Sequence, residues 1–91
     1  MGNQFKDKVI VVTGGTRGIG FATCQALADK GALVYACARH DSFPSQISDS
    51  IVYHYLDVTD APSCEKLVQD VIAASGHIDG LVADAGITRD A

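Results

Sequence analysis

The chain has 91 residues and makes at most one small domain. Its 47% hydrophobic and 20% charged residues suit a globular fold rather than a disordered one, and a net charge of −4 argues against nucleic acid or an anionic membrane as a partner. No apolar run is long enough to span a bilayer and no signal-peptide pattern is visible, so a cytoplasmic address is the expectation.

Lys8 to Val12 is a short, β-branched apolar run, the pattern of a strand buried on both faces of a parallel sheet. It runs into Thr13-Gly14-Gly15-Thr16-Arg17-Gly18-Ile19-Gly20, and a helical segment follows over Gly18 to Lys30. Strand, glycine-rich turn and helix in that order form the front half of a βαβ nucleotide site, because a pyrophosphate must come close to backbone N–H groups at the positive end of a helix. Ile19, Ala22, Thr23, Ala26 and Leu27 share one face of that helix, which is expected to pack on the sheet, and Gly31 closes it. Leu33 to Ala38 reads as the second strand, ending at Arg39. His40 to Ser50 is polar and contains Pro44, a loop with at most one helical turn.

Ile51 to Leu56 is the third strand, and Asp57-Val58-Thr59-Asp60 turns the chain. Asp60 is a good N-cap, with Pro62 in the first turn of the helix that follows. Cys64, Leu67, Val68, Val71 and Ile72 give the clearest helical period in the chain, and Gly76 stops it. Lys66 and Asp70 stand one turn apart on its outer side, a minor surface pair. Ile78 to Ala83 makes a fourth strand, ending in Asp84-Ala85-Gly86. Cys24, Cys37 and Cys64 are widely scattered, as are His40, His54 and His77. No metal site is expected, and the cysteines read as small buried hydrophobes.

Strands alternating with crossovers predict an α/β fold, a Rossmann-type doubly wound parallel sheet with the third strand beside the second, then the first, then the fourth. Three motifs then converge. Thr13-Gly14-x-x-x-Gly18-x-Gly20, the Asp57-Val58 pair after strand three, and Asp84-Ala85-Gly86 after strand four resemble the short-chain dehydrogenases/reductases over essentially the whole chain. Gly86-Ile87-Thr88-Arg89-Asp90 looks in particular like that family's 3-oxoacyl-[acyl-carrier-protein] reductase branch. The resemblance implies that residues 1–91 are the dinucleotide-binding half of a single Rossmann domain.

By the same resemblance, the turn of Gly14, Gly18 and Gly20 holds the pyrophosphate, with Ile19 donating through its backbone, and Thr16 and Arg17 of the turn are also cofactor-binding residues. Asp57 accepts from the adenine amino group, Val58 packs nearby, and Ala85 and Gly86 line the path to the nicotinamide ribose. A side chain placed at Gly18 or Gly20 is expected to remove cofactor binding more than it destabilises the fold. Two departures from the family pattern stand out. Asp84 replaces the usual Asn, and His40 to Ser50 replaces the usual helix between strands two and three, leaving the adenine side more open. The acidic residue that would bond the ribose hydroxyls is replaced by Ala38, with Arg39 next to it and Arg17 across from it. NADP(H) is therefore preferred to NAD(H), although NAD(H) stays open.

The family's catalytic Ser and Tyr-x-x-x-Lys are not in this sequence, so no catalytic residue is assigned. Tyr35-x-x-x-Arg39 is no substitute, since it lies on a strand. The leading expectation is the coenzyme-binding part of an NADP(H)-dependent oxidoreductase acting on a small-molecule or acyl-thioester carbonyl. A stand-alone or catalytically silent dinucleotide-binding or interaction module, and a doubly wound domain with a purely structural role, are the alternatives. Strand four should sit mid-sheet, so its bare edge calls for a homo-oligomer or a complementing C-terminal half.

Overall fold

The computed structural model describes residues 3–16, 18–39 and 46–83. Its elements run β1 (Val9–Thr13), α1 (Gly18–Asp29), β2 (Leu33–Ala38), β3 (Ile51–Tyr55), α2 (Ala61–Ser75) and β4 (Gly80–Ala83). All three strand pairings are parallel, and the order is β3-β2-β1-β4, as the sequence predicts.

Alternation along the strands divides the core into two layers. Val9 and Val11 of β1 face α2 with Tyr35, Cys37, Leu56, Leu67 and Val71. Ile10 and Val12 face the α1 side with Cys24, Val34, Ala36 and Ile51. A central parallel strand flanked by helices must be apolar on both faces, and all five residues of β1 are buried. Burial, with the neighbouring Cys24 adding to it, pushes the Cys37 thiol up to about 12, so it packs as a hydrophobe and not as a nucleophile.

Two expectations need correction, the packed face of α1 and the start of β4. The packed face of α1 is Gly20, Cys24, Leu27 and Ala28, while Ile19, Ala22 and Ala26 point outward. Helix α1 is seated by its smallest residue, because Gly20 lies against the Gly14 carbonyl and that contact fixes the helix's rotation. On α2, Leu67 and Val71 are buried, but Val68 and Ile72 from the same apolar stripe are 48% and 42% exposed. Finally, β4 starts at Gly80 and not at Ile78. Asp79 takes over the last rung: its carboxylate accepts the Val9 N–H at 2.8 Å while its own N–H donates to the Val9 carbonyl at 2.7 Å.

Helix α2 begins as expected. The Asp60 side chain accepts from the Ser63 N–H at 3.2 Å, and Gly76 closes the helix by donating to the Ile72 carbonyl at 2.8 Å. The Lys66–Asp70 pair is present at 3.2 Å and is joined by His54 of β3, whose Nε2 lies 2.9 Å from the same Asp70 oxygen. Gln46 forms an isolated antiparallel bridge with Val52, and residues 46–50 turn into β3 without a helix.

The outer edge of β4 has no strand partner among the described residues. Leu81, in register with Val11 and so on the α2 face, is 66% exposed. It borders an apolar groove of ≈ 240 Å³ with Val68 of α2 and Val58 of the preceding turn. Among the described residues no helix is long and apolar enough to cross a membrane.

Candidate functional site

The C-terminal ends of β1, β2 and β3 open onto one cleft of ≈ 260 Å³. Ligands of open α/β sheets bind outside the carboxyl ends of the strands, and this cleft lies there, on the β2–β3 side of the point at β1 where the strand order reverses. Gly14 forms one wall, Ala38 and Arg39 a second, and Asp57, Val58 and Thr59 the third. The structure therefore brings together Gly14, Arg39, Asp57 and Val58, four residues that the sequence marks for cofactor binding.

The glycine turn has a division of labour that the sequence does not show. The N–H groups of Gly14 and Gly15 both donate to the Cys37 carbonyl, at 2.8 and 3.2 Å. They tie the turn to β2 and are not offered to an anion. An incoming phosphate is left with the first-turn N–H groups of α1, at Gly18, Ile19 and Gly20, which lack partners within the helix. Gly18 adopts φ +61°, and a Cβ there would meet nothing within 4 Å. Its side of the turn is open, as a site for close backbone approach must be. Gly20 is different: a Cβ would lie 2.1 Å from the Gly14 oxygen. Gly20 is thus also a packing position, the contact on which α1 docks. The Ile19 side chain is 80% exposed at the helix start, and Thr16 lies in the turn itself. Arg17, Asp84, Ala85 and Gly86 lie outside the described residues.

Asp57 is the best-defined polar group in the cleft. Its N–H donates to Ser63 Oγ at 2.9 Å. The Thr59 hydroxyl and the Thr59 N–H both donate to Asp57 Oδ1, at 2.6 and 3.0 Å. These two bonds, the hydroxyl first, hold the carboxyl below the usual aspartate range, and the Arg39 guanidinium adds to the effect. Asp57 thus stays an anion with one oxygen committed, and Arg39 is a cation close enough to feel it. Together they form an acceptor and a donor on adjoining walls. Thr59 and Ser63 were not singled out from sequence, although Asp57-x-Thr59 is a recognisable side-chain-to-backbone turn pattern.

Among the described residues no group of three or more His, Cys, Asp or Glu side chains could hold an ion.

Comparison with known proteins agrees with this geometry. A family model described as short chain dehydrogenase matches residues 8–91. The chain is 40% identical over 91 residues to the 3-oxoacyl-[acyl-carrier-protein] reductase FabG of Escherichia coli, a match that covers 96% of this chain and 37% of that protein. It is 34% identical over 86 residues to L-fucose dehydrogenase of Rattus norvegicus, covering 91% and 32%. The fold superposes on the crystal structure of a short chain dehydrogenase from Bacillus anthracis with a TM-score of 0.81 and 26% identity, over 90% of this chain and 36% of that one. The chain thus spans about a third of the length of the relatives it matches.

Proposed function

The chain belongs to the short chain dehydrogenase family, and from that membership we propose that it is the coenzyme-binding part of an NADP(H)-dependent oxidoreductase. The reaction proposed for the whole protein is interconversion of a carbonyl and a hydroxyl. When bound, the nicotinamide supplies or accepts the hydride. The residues of this chain bind and orient. The start of α1 meets the pyrophosphate, Asp57 accepts from the adenine amine, and Arg39 faces the ribose.

The observation that carries the cofactor preference is the end of β2. A carboxylate at this place would bond both ribose hydroxyls and repel a 2′-phosphate. Ala38 lines the cleft there with no charge, and the exposed Arg39 lines it beside Ala38. A guanidinium offers a planar fork of donors to a phosphate, and hydrogen bonds to charged groups contribute about 1.5–3 kcal/mol each.

A 3-oxoacyl thioester is the substrate class this reading favours, on the similarity to a 3-oxoacyl-[acyl-carrier-protein] reductase. The Ser and Tyr-x-x-x-Lys set of the family is not among these 91 residues, so turnover is proposed for a protein that carries it. The β4 edge, unpaired among the described residues, and the apolar groove beside it support a homo-oligomer or a complementing segment as partner.

The test is titration of the full-length protein with NADPH and NADH, alongside Arg39→Ala and Ala38→Asp. Arg39→Ala should weaken NADPH about tenfold or more and leave NADH nearly unchanged, and Ala38→Asp should reverse the preference. Equal affinities in the wild type, or variants that keep its preference, would overturn the assignment.

A further inference from the structure

Thr59 has a geometry that the dinucleotide reading does not by itself require. It sits on the exposed turn between β3 and α2, outside both core layers, yet it gives two hydrogen bonds to one oxygen of one residue. The hydroxyl bond, at 2.6 Å, is among the short, charge-assisted kind. A third bond fixes the same residue from the other side, where the Asp57 N–H donates to Ser63 Oγ at 2.9 Å. Ser63 is itself anchored, its N–H donating to the Asp60 cap at 3.2 Å. Asp57 is therefore held at its backbone and at Oδ1, and its carboxylate cannot swing freely as a surface aspartate would.

A carboxylate has acceptor sites on both oxygens. With two donors already on Oδ1, the next donor is directed to Oδ2, and the wall that carries Asp57 also carries Val58 and Thr59 on the rim of the cleft. We propose that Thr59 is a positioning residue that commits Asp57 Oδ1 to the protein so that Oδ2 is presented to the exocyclic amine of a bound adenine, making the site selective for adenine over a purine with an oxygen at that position. This rests on the dinucleotide reading above and adds a base-selectivity device to it. A 6-oxo purine offers a carbonyl in place of the amine, and an ionised carboxylate fixed opposite it meets lone pairs where it needs a donor.

The experiment compares the affinity of the full-length protein for NADPH and for its reduced hypoxanthine analogue. The wild type should prefer the adenine form by about tenfold or more, the size of one charge-assisted hydrogen bond lost with its acceptor left unpaired. Thr59→Val removes the hydroxyl, keeps the backbone N–H and keeps the side-chain shape. It should shrink that ratio severalfold while leaving affinity for the hypoxanthine form nearly unchanged, and Thr59→Ser should restore the ratio. A merely structural role at the start of α2 would lower both affinities together and leave the ratio alone. That result, or an undiminished ratio in Thr59→Val, overturns the proposal. No discrimination in the wild type overturns the adenine role of Asp57 and the proposal with it, and no binding of either compound overturns the dinucleotide reading itself.

Discussion

Gly20→Ala would place a methyl group 2.1 Å from the Gly14 oxygen, 2.9 Å from the Gly14 carbonyl carbon and 3.1 Å from Gly15 Cα. All three are backbone atoms, so no side chain can turn aside. Either the glycine turn opens or α1 lifts off the Ile10–Val12 face of the sheet. Overpacking of this sort costs about 1–3 kcal/mol, and contact with fixed backbone argues for the upper end. A chain of this length has a total stability of about 5–14 kcal/mol, so the loss is a large share. At Gly18 the same methyl meets nothing within 4 Å, and the penalty comes from φ +61° alone. For most residues that is about 1–2 kcal/mol, but Asn tolerates the left-handed region. Gly18→Asn should therefore unfold close to the wild type while its side chain fills the space a pyrophosphate needs. The assay pairs urea unfolding with NADPH titration on both variants. Gly20→Ala should lower the urea midpoint by about 1–3 M, at an m-value of about 1 kcal/mol/M. Gly18→Asn should keep the midpoint and lose binding. A Gly20→Ala protein as stable as the wild type, or a Gly18→Asn protein that binds NADPH normally, would refute the reasoning.

Two further outcomes follow from the charges and the exposed apolar surface. The bond from His54 first, then that from Lys66, holds the Asp70 carboxyl below the usual range, so this cluster stabilises the fold at neutral pH. The contribution is complete above the ordinary aspartate value of about 3.9 and is lost as pH falls through the lowered one. Asp70→Asn should flatten the acid limb of a stability–pH curve measured by denaturation, and an unchanged limb would count against the cluster. Residues 1–91, expressed alone, should self-associate through the groove that Leu81 and Val68 border, and Leu81→Lys should shift the sedimentation profile toward monomer. A compact monomer without the substitution would contradict the edge argument.

The sheet order and both helices were legible because β-branched runs, the Asp60 cap and Gly76 act locally, within a turn or two of themselves. The sequence misplaced features that depend on contacts between distant residues. The start of β4 moved because Asp79 bonds a residue 70 positions away. The face of α1 rotated because a glycine and a carbonyl, and not the largest apolar side chains, set its approach. In the site, Gly14, Arg39, Asp57 and Val58 could be named from the family resemblance, and the topology gathers the strand ends that carry them into one cleft. Thr59 went unnoticed because a hydroxyl on an exposed turn shows its value only once both of its residue's bonds are seen to fall on one oxygen of Asp57.

The reciprocal bonds between Val9 and Asp79 also bear on the order in which the chain can assemble. Strand β1 meets β2 at Val9 and Leu33, a closure spanning α1 alone, whereas its rung to Asp79 closes a loop of 70 residues. Loop-closure entropy rises with the logarithm of length, so a roughly threefold longer loop costs about 1 kcal/mol more to draw in. In return β4 offers only four residues with one neighbouring strand, every second one exposed. Entropy thus favours condensation of β1, α1 and β2 first, with β3 adding beside them. The wall of the cleft that carries Arg39 belongs to that early nucleus, the wall that carries Asp57 joins with β3, and Asp79 acts as a latch that engages only after the far strand arrives.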